Sequence, residues 1–370
     1  MARSNDTRWD RAPQAVALAA LLLASGGCGD ADGGDEFLAQ VKLFDGAAAE
    51  GHAADDGHDH SHDILTPLDA PVWVEGAAAK HLRADDPVLG YLAPRGDGTG
   101  EQPYAIPWWV LKNYHVANVE LEGEAVCITL CERCSSAAAW DPVVDGQRLH
   151  LRVKGIYDGT HVCFDDTTQS WFTPFTGRGM HGPLKGRQLA RKRLDQATWG
   201  DWLELHPTTR VTLADEKMRL GHGSEDSPGS KGLGSRMRAS IRHHDSRLPE
   251  NELILGVVVG GVARAYPMAR LSAAGSFVAE TVGGVPIIVF HKPGTWLAAA
   301  FRAELDGKPL RFERAADGAP IESGSQSRFL VSGAARGGTH DGRRLVPVEY
   351  GMEEWYIWAT QHPGSELHGE

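Results

Sequence analysis

Cysteine is scarce in this 370-residue chain: there are five, with a single Cys-x-x-Cys pair at Cys131 and Cys134. No second pair exists to complete a zinc ribbon. Long apolar runs are also lacking. The run near the N-terminus, Ala15–Ala24, covers ten residues, too few to cross a bilayer as a helix. Positive charge is in deficit, with 37 Lys and Arg against 49 Asp and Glu, a formal net charge of -12. Such a surface repels phosphate backbones, which argues against nucleic acid as a partner. There is no Ser-His-Asp signature, no phosphate-cradling glycine loop and no dinucleotide fingerprint. What is abundant is glycine, at 44 residues, much of it in turn-like pairs. That favours a strand-rich, loop-rich fold over a helical bundle.

The N-terminus has the layout of an export signal. Arg3, Arg8 and Arg11 precede or flank the apolar run, and "ASGGCG" follows it. Small residues before Cys28 resemble the bacterial lipoprotein box, in which the cysteine is lipidated; Ser25 stands where that box more often has leucine. The alternative is an ordinary secretory signal cut nearby. The expected segments are a lipoprotein-type signal over 1–28 and a disordered tether over 29–63. The expected location is the cell envelope, lipid-anchored through Cys28 to a membrane and facing the periplasm or exterior. The tether holds "GHAADDGHDHSHD", whose His52, His58, His60 and His62 form a weak site for divalent transition metals.

An internal duplication organises the rest. "DDPVLGYLA" (85–93) faces "NELILGVVV" (251–259), and "YAIPWWVLKNY" (104–114) faces "RAYPMARLSAA" (264–274). "WDPVVDGQRLHL" (140–151) faces "FRAELDGKPLRF" (301–312), and "WGDWLELHP" (199–207) faces "WYIWATQHP" (355–363). The predicted fold is α+β: two tandem homologous strand-rich repeats, mainly antiparallel sheet with short flanking helices. The copies span 64–211 and 250–366, joined by a Gly/Ser-rich linker over 212–249. Each begins with a short strand ending near Gly90 or Gly256, then a helix opened by Pro107 or Pro267. Each closes with a helix whose two tryptophans, Trp199 and Trp202 or Trp355 and Trp358, share one face and pack in the core.

These landmarks resemble a bacterial family known only as domain of unknown function 3179. The resemblance rests on "DDPVLG", "YAIPWWVL", "VCITLCERCSSAAAW", "FDDTTQSWF", "TGRGMHGPLKGRQL" and "DSRLPENELILGV". It covers residues 64 to 366 and implies an exported protein, with no reaction attached. This chain departs from the family pattern in having Glu132 and Arg133 between the cysteines, where a proline commonly follows the first.

The chemistry centres on the pair. Three readings stand open: a metal site, a redox dithiol and a structural disulfide. A closed zinc site needs four ligands. Cys131 and Cys134 supply two, and His115, Cys163, His161 and Cys127 are the candidates for the others. Zinc or copper is the implied metal. Cys127 lies four residues before Cys131, roughly 13 Å away on an extended strand at about 3.3 Å per residue. As a dithiol, Arg133 favours a thiolate and Glu132 opposes it. As a staple, the pair closes too short a loop to restrict the unfolded chain much. If Cys28 is lipidated, the four remaining cysteines allow three connectivities. The second copy has "FHKPGTW" instead, with Lys292 and Thr295 opposite Cys131 and Cys134. The fold is therefore expected to close without the pair. Asp165 and Asp166 are expected to be solvated.

Overall fold

The computed structural model describes residues 33–43, 66–215, 218, 228, 229, 233 and 235–370. Cys28, the apolar run and His52, His58, His60 and His62 lie outside the described residues.

Pro107 and Pro267 set the clearest landmarks. Each ends a strand in extended geometry and opens a helix, Trp108–Leu111 and Met268–Ala274. Proline suits that place because its missing N–H would have no partner within the helix.

Around each helix the strands follow the same order. In residues 66–215 a five-stranded sheet runs Asp195–Thr198, Pro87–Pro94, Glu101–Pro107, Arg210–Thr212 and Trp73–Glu75. Arg210–Thr212 is parallel to Glu101–Pro107, and the other neighbours are antiparallel. In residues 245–370 a four-stranded sheet runs Glu349–Glu354, Leu253–Val259, Val262–Pro267 and Glu366–Leu367, again with only the last pair parallel. A three-strand meander comes next in both: Val116–Leu121, Glu124–Cys131 and Ser136–Trp140, then Phe277–Val282, Val285–His291 and Ala298–Arg302. A further antiparallel sheet completes each part. The chain is thus strand-rich, with mostly antiparallel sheets and few short helices.

Gly90 and Gly256 do not end their strands. They lie within Pro87–Pro94 and Leu253–Val259. A Cβ on Gly90 would collide with the Trp202 ring, and one on Gly256 with the Trp358 ring. Glycine here marks a close approach and not a boundary. Each ring is then held the same way. Trp202 Nε1 donates to Thr209 Oγ1 at 2.9 Å, and Trp358 Nε1 donates to Ser365 Oγ at 3.0 Å. Each ring also packs on a histidine, His206 at 4.2 Å and His362 at 4.1 Å between centroids.

Two segments differ from their expected character. Residues 33–43, expected as tether, form the helix Gly33–Gln40 and the strand Lys42–Leu43. Phe37 and Val41 are buried, two anchors that the average composition of the segment conceals. In the expected linker, Met237 and Ile241 are buried in the same core cluster as Cys131 and Cys134. Asp165 is fully buried, accepting from the backbone N–H groups of His150 and Thr168, while Asp166 pairs with Arg152.

The two parts interlock through their meanders. The tip of the first, at Cys134 and Ser135, meets Glu354 at the start of the last helix, Trp355–Gln361. The tip of the second, at Lys292, meets Asp201 in the helix Trp199–Leu205 of the first part at 2.5 Å. Tyr356 and Ile357 enter the core around the cysteines, and Leu297 enters the core around Trp199 and Trp202.

Candidate functional site

Glu124–Cys131 and Ser136–Trp140 form a hairpin whose last ladder pair is Cys131 with Ser136. Cys131 and Cys134 are joined there as a disulfide, with Cα atoms 5.6 Å apart. That separation is ordinary for a disulfide. None of the three full connectivities is realised: the local pair alone is joined, and Cys127 and Cys163 are free and buried. Access to the bond is narrow, since Cys131 is 4% exposed and Cys134 0%.

The turn is held in an uncommon backbone conformation. Ser135 has φ +51°, and His115, on the neighbouring connection, has φ +59°. Non-glycine residues enter this region only where contacts hold them there. Ser135 Oγ donates to Glu354 at 3.1 Å and accepts from the backbone N–H of Gly229 at 2.7 Å. The backbone N–H of Leu130 donates to the His115 carbonyl at 2.8 Å.

Ionisable groups line the hairpin tip. His115 Nδ1 lies 3.4 Å from the Glu132 carboxylate and 3.3 Å from the Leu130 carbonyl. The His115 ring faces His161, 5.8 Å away between centroids. Burial, with a smaller contribution from His115, pushes the His161 pKa down to about 3, so its ring is neutral. Its Nε2 has no hydrogen-bond partner among the described residues. The adjacent Thr160 hydroxyl is 3.8 Å from Cys134 Sγ. Across the interface, burial pushes Glu354 up to about 8, against the lowering effect of its Ser135 hydrogen bond. Glu353 is pushed up to about 7, also by burial. Each has one carboxyl oxygen without a partner among the described residues.

Cys163 lies on the strand Thr160–Asp165, two residues beyond His161 and on the same face. It shares a core cluster with Cys127, Cys131 and Cys134. Burial pushes the Cys127 thiol up to about 12 and the Cys163 thiol well above its usual value. The four candidate ligands Cys131, Cys134, His115 and Cys163 do not assemble as a metal centre in this form. Two of the sulfurs are bonded to each other, and no three His, Cys, Asp or Glu side chains are grouped to hold an ion among the described residues.

The second meander shows what the hairpin is like without cysteines. His291 N–H donates to the Ser276 carbonyl at 2.9 Å, matching the Leu130–His115 bond. Lys292 then stands where Cys131 does, and its N–H donates to Leu297 at 3.0 Å. Thr295 Oγ1 closes the turn onto the Lys292 carbonyl at 2.9 Å. Hydrogen bonds and the ion pairs of Lys292 with Asp201 and Glu204 complete this tip without a disulfide.

The profile of a family described as "Protein of unknown function (DUF3179)" matches residues 62–365. The chain belongs to this family. Its description names no reaction. No curated protein and no solved structure matches the chain.

Sequence reasoning found Cys131, Cys134, His115 and His161 but missed Glu353 and Glu354. A signal was present: two adjacent glutamates precede Trp355, where the first part has Ala197 and Thr198 before Trp199. Carboxylates at a buried strand end are rare unless something holds them.

Proposed function

We propose that this protein is an exported, lipid-anchored member of its family that performs thiol–disulfide chemistry at Cys131 and Cys134. The observation that supports it most is the contrast between the two hairpins. One closes by hydrogen bonds and the ion pair of Lys292 with Asp201; the other adds a disulfide, with His115, Glu132, His161 and Glu354 around its tip. The two parts are read as tandem homologous repeats, of which the first holds the chemistry and the second acts as scaffold. The recurring strand order and the paired Gly90–Trp202 and Gly256–Trp358 contacts support that reading.

In the proposed reaction an external dithiol delivers two electrons. The Cys131–Cys134 bond breaks, each sulfur gains one electron and one proton, and the donor becomes a disulfide. Cys131 is the sulfur attacked first, because it is the more exposed of the two.

A second reading is supported by the burial of both sulfurs: a structural staple in an envelope binding or scaffold protein. Redox titration of the purified protein decides between them. A potential above about −300 mV fits a working couple, and one below it fits a staple. Metal analysis of the reduced, anaerobic protein addresses the zinc or copper role of Cys131, Cys134 and His115. Stoichiometric metal would establish that role.

A further inference from the structure

We propose that residues 33–43 are a clamp that seats the first part of the fold directly against a lipid surface, with Leu38 and Leu43 turned toward the lipid. The proposal rests on the reading of Cys28 as the lipidated residue.

The clamp has a built receptor. Phe37 is 5% exposed, and its ring lies 4.8 Å from Tyr157 and 6.1 Å from Trp171 between centroids. It stacks on His181 at 6.3 Å. Lys42 and Leu43 then add an antiparallel strand to Leu151–Tyr157, opposite Ile156 and Gly155. The receiving strand is shaped for this. A Cβ on Gly155 would lie 2.7 Å from the Lys42 carbonyl oxygen and 3.0 Å from Val41 Cγ1. The three nearest atoms to that absent Cβ all belong to the clamp. The receiving strand also shifts register between Val153 and Gly155. A side chain is omitted where the clamp crosses, and nowhere else along Leu151–Tyr157.

The outward side of the clamp carries two large apolar side chains beside the exposed carboxylate of Glu36. Leu38 is 37% exposed and Leu43 is 50% exposed, two of the large hydrophobic side chains that the fold leaves open. Arg178, also exposed, acts on the ionisation of Tyr157 together with Arg242 and, in the opposite sense, Asp158 and Glu36. The chain length sets the distance. Gly33 is five residues beyond Cys28, a reach of at most about 18 Å when fully extended. A lipid on Cys28 therefore keeps Gly33, four residues before Phe37, within about 18 Å of the bilayer. The His/Asp-rich stretch comes after the clamp in the chain and adds nothing to that reach.

The test uses the full-length protein in vesicles of phosphatidylglycerol and phosphatidylethanolamine. A photo-crosslinking benzoylphenylalanine replaces Arg178, beside the clamp, or Val346, which is 58% exposed in the second part. Lipid adducts are expected at position 178 and not at 346. Gly155→Val and Phe37→Ser, one on each side of the contact, are each expected to bring position 178 down to the level of 346. Equal labelling of the two positions in otherwise unaltered, lipidated protein overturns the clamp while leaving the lipid anchor standing. The mass of the N-terminal peptide reads the anchor separately, and an unmodified Cys28 overturns both.

Discussion

The backbone N–H of Glu354 donates to the carbonyl oxygen of Cys134, 3.1 Å away. The last helix of the chain therefore starts on the disulfide hairpin of the first part. The side chain of Glu354 repeats the link through Ser135, so sequence positions more than two hundred residues apart share one turn.

The burial of Glu354 at that contact makes stability depend on pH. Burial raises the folded pKa of Glu354 to about 8 from an ordinary 4.5, so the folded state holds its proton where the unfolded chain has lost it. Its stabilising contribution is full below about 4.5 and is lost as pH rises to about 8. In that window the slope is about 1.4 kcal/mol per pH unit at full linkage. Glu354→Gln is expected to remove this downward contribution to urea stability between pH 5 and pH 8, leaving that of Glu353 up to about pH 7 and the opposite, upward contribution of His161 below about pH 6.5.

Removing the disulfide is expected to leave the fold intact. A loop this short restricts the unfolded chain by about 2 kcal/mol. The double variant Cys131→Ala, Cys134→Ala should lose about that much in chemical denaturation. Its far-ultraviolet circular dichroism should remain unchanged, because the second hairpin closes without a disulfide.

Cys127 and Cys163 are expected to resist alkylation in the native protein. Both are buried, and burial raises both thiol pKa values. Pulse labelling with iodoacetamide at pH 8 should modify neither until denaturant is added. Mass spectrometry of tryptic peptides reads the result. Early labelling of Cys163 would show that its strand opens locally.

Gly90→Ala and Gly256→Ala are expected to destabilise by similar amounts, about 3 kcal/mol each. Each new methyl would meet a tryptophan ring that is pinned through its indole nitrogen. Urea titrations of the two variants test both the size and the equality of the effect.

The helix starts at Pro107 and Pro267 were legible because proline acts locally, through its own missing donor. The Lys292–Cys131 correspondence was legible because the Asp-Gly turns at 145–146 and 306–307 set the two stretches in register. The cysteine pairing was not, since connectivity depends on which sulfurs the strands bring together. The clamp was hidden for another reason. Phe37 and Val41 are two apolar residues in a segment dominated by Gly, Ala and Asp, and only the distant Gly155 gives them a place. Glu354 was hidden because its environment is supplied by the opposite part of the chain.

The exchanged hairpin tips have a consequence for dissection. Cutting between residues 215 and 235 would give two pieces, each stripped of the surface that covers its own meander tip. Leu297 would leave Trp199 and Trp202 uncovered, and Tyr356 and Ile357 would leave the cysteine core open. Neither piece is a self-sufficient folding unit on these contacts. Mixed together, they are complementary fragments, and each is the other's missing wall.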